Sequence, residues 1–152
     1  MEMNSKLQKR LFSTVIVFVL CVALTASAFA ATSNGSTRTF SPDGYNYSAY
    51  NFVTTVTSPS GAYAGGKITC TNFLASRPAG YLQIHAVLFN VSGSILRSNI
   101  GTNNSSASSF SLTTATHYGS GGYYAQGMAG VWTPNYNYYS ELYLGDSPHL
   151  YV

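Results

Sequence analysis

From Ser48 to the end of the chain, apolar and polar residues alternate in short runs separated by Gly, Pro, Ser and Asn clusters. Period-two alternation places successive side chains on opposite faces of an extended strand. The clearest run is 81–91 (YLQIHAVLFNV), where Leu82, Ile84, Ala86 and Leu88 alternate with Gln83 and His85. This predicts a strand with one face in a core and the other at least partly wet. Residues 48–57 (SAYNFVTTVT) form another run, with Tyr50, Phe52 and Val56 on one face and Thr54 among them. Residues 67–74 (KITCTNFL) set Ile68, Cys70 and Leu74 against Lys67, Thr69 and Thr71. Ser92-Gly93-Ser94 turns the chain into 95–100, which reads as a hairpin with 81–91. Phe110 and Leu112 anchor a short strand ending near Thr116. Residues 123–133 (YYAQGMAGVWT) put Tyr124, Met128 and Trp132 on one face, and small Ala125, Gly127 and Ala129 on the other, where a neighbour can approach closely. Residues 138–144 form the last full strand, and 149–152 can pair briefly at an edge.

No segment after Ala31 carries helical periodicity over three turns. Short strands with turn signals every eight to twelve residues or so predict an all-β fold, a small antiparallel β-sandwich, with a small β-barrel as the alternative. Residues 48–152 form the single domain. Residues 31–47, rich in Thr, Ser, Asn and Gly, read as a loose lead-in with a turn at Pro42-Asp43-Gly44.

The N-terminus follows a different pattern. Lys6, Lys9 and Arg10 precede an uncharged run over 11–31, which closes in Ala28-Phe29-Ala30. A basic start, an apolar middle and a small-x-small exit predict a signal-peptide helix over 1–30 cleaved after Ala30, hence a secreted, extracellular protein. Ala26-Ser27-Ala28 offers a cut two residues earlier, and a retained anchor is the alternative. Cys21 is a poor lipidation site, because Leu20 precedes it where a small residue is required.

Composition then narrows the picture. After Ala30 only Arg38, Lys67, Arg77 and Arg97 stand against Asp43, Glu141 and Asp146, a net charge of +1. Charged residues are 7% of the whole chain, against about a quarter in ordinary domains. A clustered basic patch is absent, which argues against a nucleic-acid partner. All thirteen tyrosines fall after residue 44, so the surface is tyrosine-rich and uncharged rather than disordered in composition. Cys70 is the sole cysteine after Ala30, so the exported chain forms no internal disulfide. That points to a Gram-positive bacterial source rather than a disulfide-stapled eukaryotic one.

Candidate chemistry is sparse. His85, His117 and His149 are about thirty residues apart without metal-ligand spacing, so no metal or other cofactor is expected. Three carboxylates do not bracket a glycosidic bond in any recognisable way. Gly119-Ser120-Gly121 lacks the strand-to-helix context of a nucleophile elbow. Cys70 shares a face with Ile68 and reads as a buried, inert thiol. The expectation is a non-enzymatic protein, with an extracellular hydrolase as the remotest alternative.

The aromatic residues carry the functional reading. Trp132, Tyr136, Tyr138 and Tyr139 crowd the C-terminal quarter. Flat aromatic faces stack on sugar rings, and neutral amides and hydroxyls bond sugar hydroxyls, so these four are the candidate ligand-binding residues. The competing reading fills a core with such rings, and Trp132 and Tyr124 are the best-placed core members. The expected function is an extracellular binding or envelope-associated module whose partner is a cell-surface glycan or envelope component. Aromatic residues also suit lipid interfaces, so a membrane-active, bacteriocin-like toxin is the alternative. The stretch Ala129-Gly130-Val131-Trp132, followed by Tyr138-Tyr139, resembles lactococcin-type bacteriocins. That likeness covers six residues with unmatched spacing and assigns no family.

Overall fold

The computed structural model describes residues 30–73 and 75–152. The signal-peptide helix expected over 1–30 and the Leu74 position lie outside the described residues, apart from Ala30. Most of the described chain is strand, in two antiparallel sheets, neither closed into a barrel. The sandwich, rather than its barrel alternative, is the architecture.

The first sheet contains β1 (Thr32–Asn34), β2 (Arg38–Phe40), β3 (Tyr47–Thr57) and β4 (Ser60–Cys70). The second is built on β5 (Leu82–Asn90) and β6 (Ile95–Thr102). The chain returns to the first sheet as β7 (Ser109–Thr113) and β8 (His117–Tyr118). It ends in the second as β9 (Gly122–Thr133), β10 (Tyr138–Tyr143) and β11 (Leu150–Tyr151). The orders are β1-β3-β4-β7 and β10-β9-β5-β6. β2 also pairs with β3, β8 with β4, and β11 with β9. Three of the four sheet edges are therefore split into short pieces, a form that offers little continuous backbone to another chain.

The strands at 82–90 and 95–102 pair as the alternation predicts, with Leu82, Ile84, Ala86 and Leu88 all buried. Two expectations need correcting. Residues 31–47 are not a loose lead-in, because β1 and β2 pair in turn with the far and near halves of β3. Edge strands bury little, so their Thr, Ser and Asn content carries no alternation to detect. The second correction concerns β4, which begins at Ser60 rather than near Lys67. Its Gly-Ala-rich half is extended because neighbours occupy the space of the missing side chains. The Phe52 ring lies over Gly65, and Ile84 Cγ2 sits 2.9 Å from where a Cβ on Gly66 would stand.

The core lies between the sheets. Tyr47, Ala49, Ile68 and Cys70 face Leu82, Ile84, Ala86, Ala129 and Val131 at one end. Val53, Ala62 and Ala64 face Leu88, Tyr123 and Ala125 at the other. On β3 the inward face is thus the odd-numbered one, and Tyr50 and Phe52 lie on the outer face. Small residues on β9 do admit a close neighbour, as their pattern predicts. At Gly127 a Cβ would stand 2.5 Å from the His85 carbonyl oxygen of β5. Gly127→Ala is accordingly expected to lower stability by about 1–3 kcal/mol, measured as a lower urea midpoint with an unchanged slope.

Candidate functional site

The loop between β4 and β5 is fastened from below. Buried Asn103 accepts the Leu82 N–H at 2.8 Å and donates to the carbonyls of Pro78 at 2.8 Å and Ser105 at 2.7 Å. The Gly80 N–H donates to the Asn103 carbonyl at 2.7 Å. Gly80 has φ +80, a left-handed conformation that suits glycine and aims its carbonyl at the second sheet. Arg77 is buried in the same loop, paired with Asp43 at 2.7 Å. Its guanidinium lies over the rings of Tyr45 and Tyr81, at 4.1 and 5.1 Å from their centroids. These contacts hold Tyr81 in place at the mouth of β5.

Against this loop β9 and β10 present an aromatic pair. Tyr139 is the direct cross-strand partner of Trp132, and their rings meet edge to face with centroids 5.2 Å apart and planes at 63°. The Tyr139 hydroxyl donates to the Gly80 carbonyl at 2.5 Å, and burial raises its pKa above the ordinary tyrosine value. The Trp132 backbone N–H donates to the Tyr81 carbonyl at 2.9 Å. Together Ala79, Gly80, Tyr81, Trp132 and Tyr139 line a shallow, solvent-open cavity of about 240 Å³.

Strand parity divides the four predicted ligand-binding residues into two pairs. Trp132 and Tyr139 share the outer face of the second sheet. Tyr138 pairs with Thr133, so its side chain starts from the opposite face. It packs against Tyr136 with centroids 5.8 Å apart, and both are exposed, at 51% and 72%. Trp132 is not a core residue, contrary to the competing core reading: it is half-buried on the outer face, because the inward positions of β9 belong to Ala125, Ala129 and Val131. Tyr124 is buried, but also on the outer face, covered by Phe89 at 5.2 Å and His149 at 4.9 Å.

The same outer face holds residues that were not singled out from the sequence. The row beside the aromatic pair runs Glu141, Gly130, Gln83 and Thr102 across four strands. At Gly130, Gln83 Oε1 and Tyr139 Cδ1 lie 3.2 and 3.4 Å from the position a Cβ would take, so the bare backbone lets amide and ring close over it. Tyr81 and Gln83 alternate with buried Leu82, which announces their outward face. Only the strand register shows that Trp132 and Tyr139 stand beside them.

The histidines do not converge. His85 hydrogen-bonds Ser98 at 2.8 Å, His117 meets the Tyr123 ring at 6.0 Å, and His149 packs on Tyr124. Among the described residues no group of three His, Cys, Asp or Glu side chains could hold a metal ion. Cys70 is buried with a free thiol. Compared with known proteins, the chain matches no family profile, and no curated protein or solved structure resembles it.

Proposed function

We propose that this is a secreted, non-enzymatic binding module whose ligand is a glycan of the cell surface or envelope, held by Trp132, Tyr139 and Tyr81. The observation that carries the reading is the open cavity walled by these three rings. Half-exposed aromatic rings beside neutral polar groups suit a pyranose, which presents an apolar ring face and a rim of hydroxyls. The site is preorganised. The Tyr139 hydroxyl is tied to Gly80, and Tyr81 is backed by Arg77. Little side-chain freedom is then lost on binding, which favours affinity. Tyr136 and Tyr138 stand apart from this cavity and act at most as a second contact for a long polymer.

Trp132→Ala is expected to weaken glycan retention at least tenfold, equivalent to about 1.4 kcal/mol, in affinity electrophoresis or on a glycan array. Its circular dichroism spectrum should stay that of the parent, since Trp132 lies outside the inter-sheet core. Tyr136→Ala should change retention much less. Dye release from liposomes without retention of any glycan would replace this reading with the membrane-active alternative.

A further inference from the structure

Building on the glycan-binding reading, the charge pattern of the outer face points to the ligand's chemical class: we infer that the site selects a polysaccharide bearing free amines, such as a polymer of N-deacetylated hexosamine, and disfavours phosphate-bearing polymers. The argument starts from the row adjoining the aromatic pair. Glu141 lies two residues from Tyr139 on β10, hence about 7 Å along the strand, on the same face and directly opposite Gly130. It is exposed, and among the described residues its carboxylate has neither an ion pair nor a hydrogen bond. Gln83, in the same row, likewise has a carboxamide with no hydrogen-bond partner among the described residues. One saccharide unit stacked on Trp132 and Tyr139 therefore places its neighbour over an unengaged carboxylate and an unengaged amide.

The cations are arranged otherwise. The guanidinium beside the cavity belongs to Arg77, which is 6% exposed, covered by Tyr45 and Tyr81, and neutralised by Asp43. Arg38 and Lys67 stand on β2 and β4 of the first sheet. Arg38 comes to the second sheet near Gly145 and Tyr143, at the end of β10 far from the cavity. Arg97 stands on β6 and shares the parity of inward-facing Leu88. A phosphate over Gln83 would meet Glu141 first, with Arg38 displaced beyond Tyr143, whereas an ammonium would find a partner there.

The test uses the full-length protein and four immobilised probes: N-deacetylated chitin oligomers, fully N-acetylated chitin oligomers, N-deacetylated peptidoglycan and poly(glycerol phosphate). Tighter binding to the deacetylated oligomers than to the acetylated ones, by about tenfold, and no retention by the polyphosphate are expected. The preference should shrink as salt rises. Glu141→Gln should bring the two chitin oligomers to within about twofold of each other by weakening the deacetylated one. The comparison between deacetylated chitin and deacetylated peptidoglycan identifies the source of the amine-bearing polymer. Equal binding of both chitin oligomers, or a preference that survives Glu141→Gln, overturns the amine assignment and leaves the glycan reading standing. Failure to retain any probe overturns both. Retention of the deacetylated probe by Trp132→Ala also overturns the inference, because the attraction would then be that of a bare polycation for the protein.

Discussion

Replacing Asn51 by alanine should remove about 2–4 kcal/mol of stability. Asn51 is a fully buried side chain in the middle of β3. Its Nδ2 donates across the sandwich to the Ala125 carbonyl of β9 at 3.0 Å and to the Gly145 carbonyl at 2.6 Å. Truncation strands the Gly145 carbonyl, at about 1–3 kcal/mol, whereas the Ala125 carbonyl keeps its bond from the Ser147 backbone N–H; the vacated volume adds a cavity term. The side chain also explains Gly35, whose missing Cβ would collide with Asn51 Oδ1. The measurement is urea unfolding followed by tyrosine and tryptophan fluorescence. A loss under about 1 kcal/mol would mean that the two sheets are not tied together through this side chain. Because domains of this size are stable by only about 5–15 kcal/mol, the variant is expected to unfold at a clearly lower temperature than its parent.

The second large effect concerns alkaline pH. Tyr47 is fully buried, and its hydroxyl has no hydrogen-bond partner among the described residues. Burial pushes its pKa from 10.0 up to about 12, against a smaller opposing pull from the Arg77 guanidinium. Below pH 10 the hydroxyl keeps its proton in the folded and unfolded chains alike, and Tyr47 leaves stability independent of pH. As pH rises from 10 to 12 the unfolded chain gives up this proton while the folded one holds it, so folding stability declines. The full loss is about 2–3 kcal/mol at pH 12. Tyr139 and Tyr143, whose values are also raised, add to the decline in the same direction. Tyr47→Phe should flatten the alkaline limb and leave stability at pH 7 unchanged or up to about 1 kcal/mol higher, since it deletes a buried polar group with no protein partner. A Tyr47→Phe protein that loses as much stability as its parent between pH 10 and 12 would place the titration elsewhere.

Both effects sit on β3, where alternation was hardest to interpret. Tyr50, Phe52 and Val56 look like a core face, yet Tyr47, Ala49, Asn51 and Val53 point inward. The sandwich is thin at its centre because β9 contributes Ala125, Gly127 and Ala129. A small residue and an asparagine fit there, whereas the larger Phe52 finds space over Gly65 on the outer surface. A similar exchange explains Trp132. Its size and hydrophobicity suggest the core, but parity with Met128 and Tyr124 puts it outside, beside Tyr139.

The candidate site was legible in kind and not in composition. The C-terminal aromatic cluster marks the region, and two of its four named residues, Trp132 and Tyr139, meet at one cavity. Tyr138 leaves that surface through a one-residue change of parity, and Tyr136 follows it into the turn. Tyr81, Gln83 and Glu141 join from strands whose adjacency is not encoded in local sequence.

What the amino-acid order determined by itself is the local grammar: period-two runs, glycine and proline punctuation, a core face on 82–88 and scarcity of charge. Each follows from backbone sterics and side-chain solvation within a few residues. Tertiary structure alone decided which strands adjoin, which face of β3 is buried, that 32–40 pairs rather than dangles, and that three rings from β9, β10 and the β4–β5 loop surround one cavity. Those outcomes depend on register and on the fit of large side chains over distant glycines, which are properties of pairs of segments and not of either segment alone.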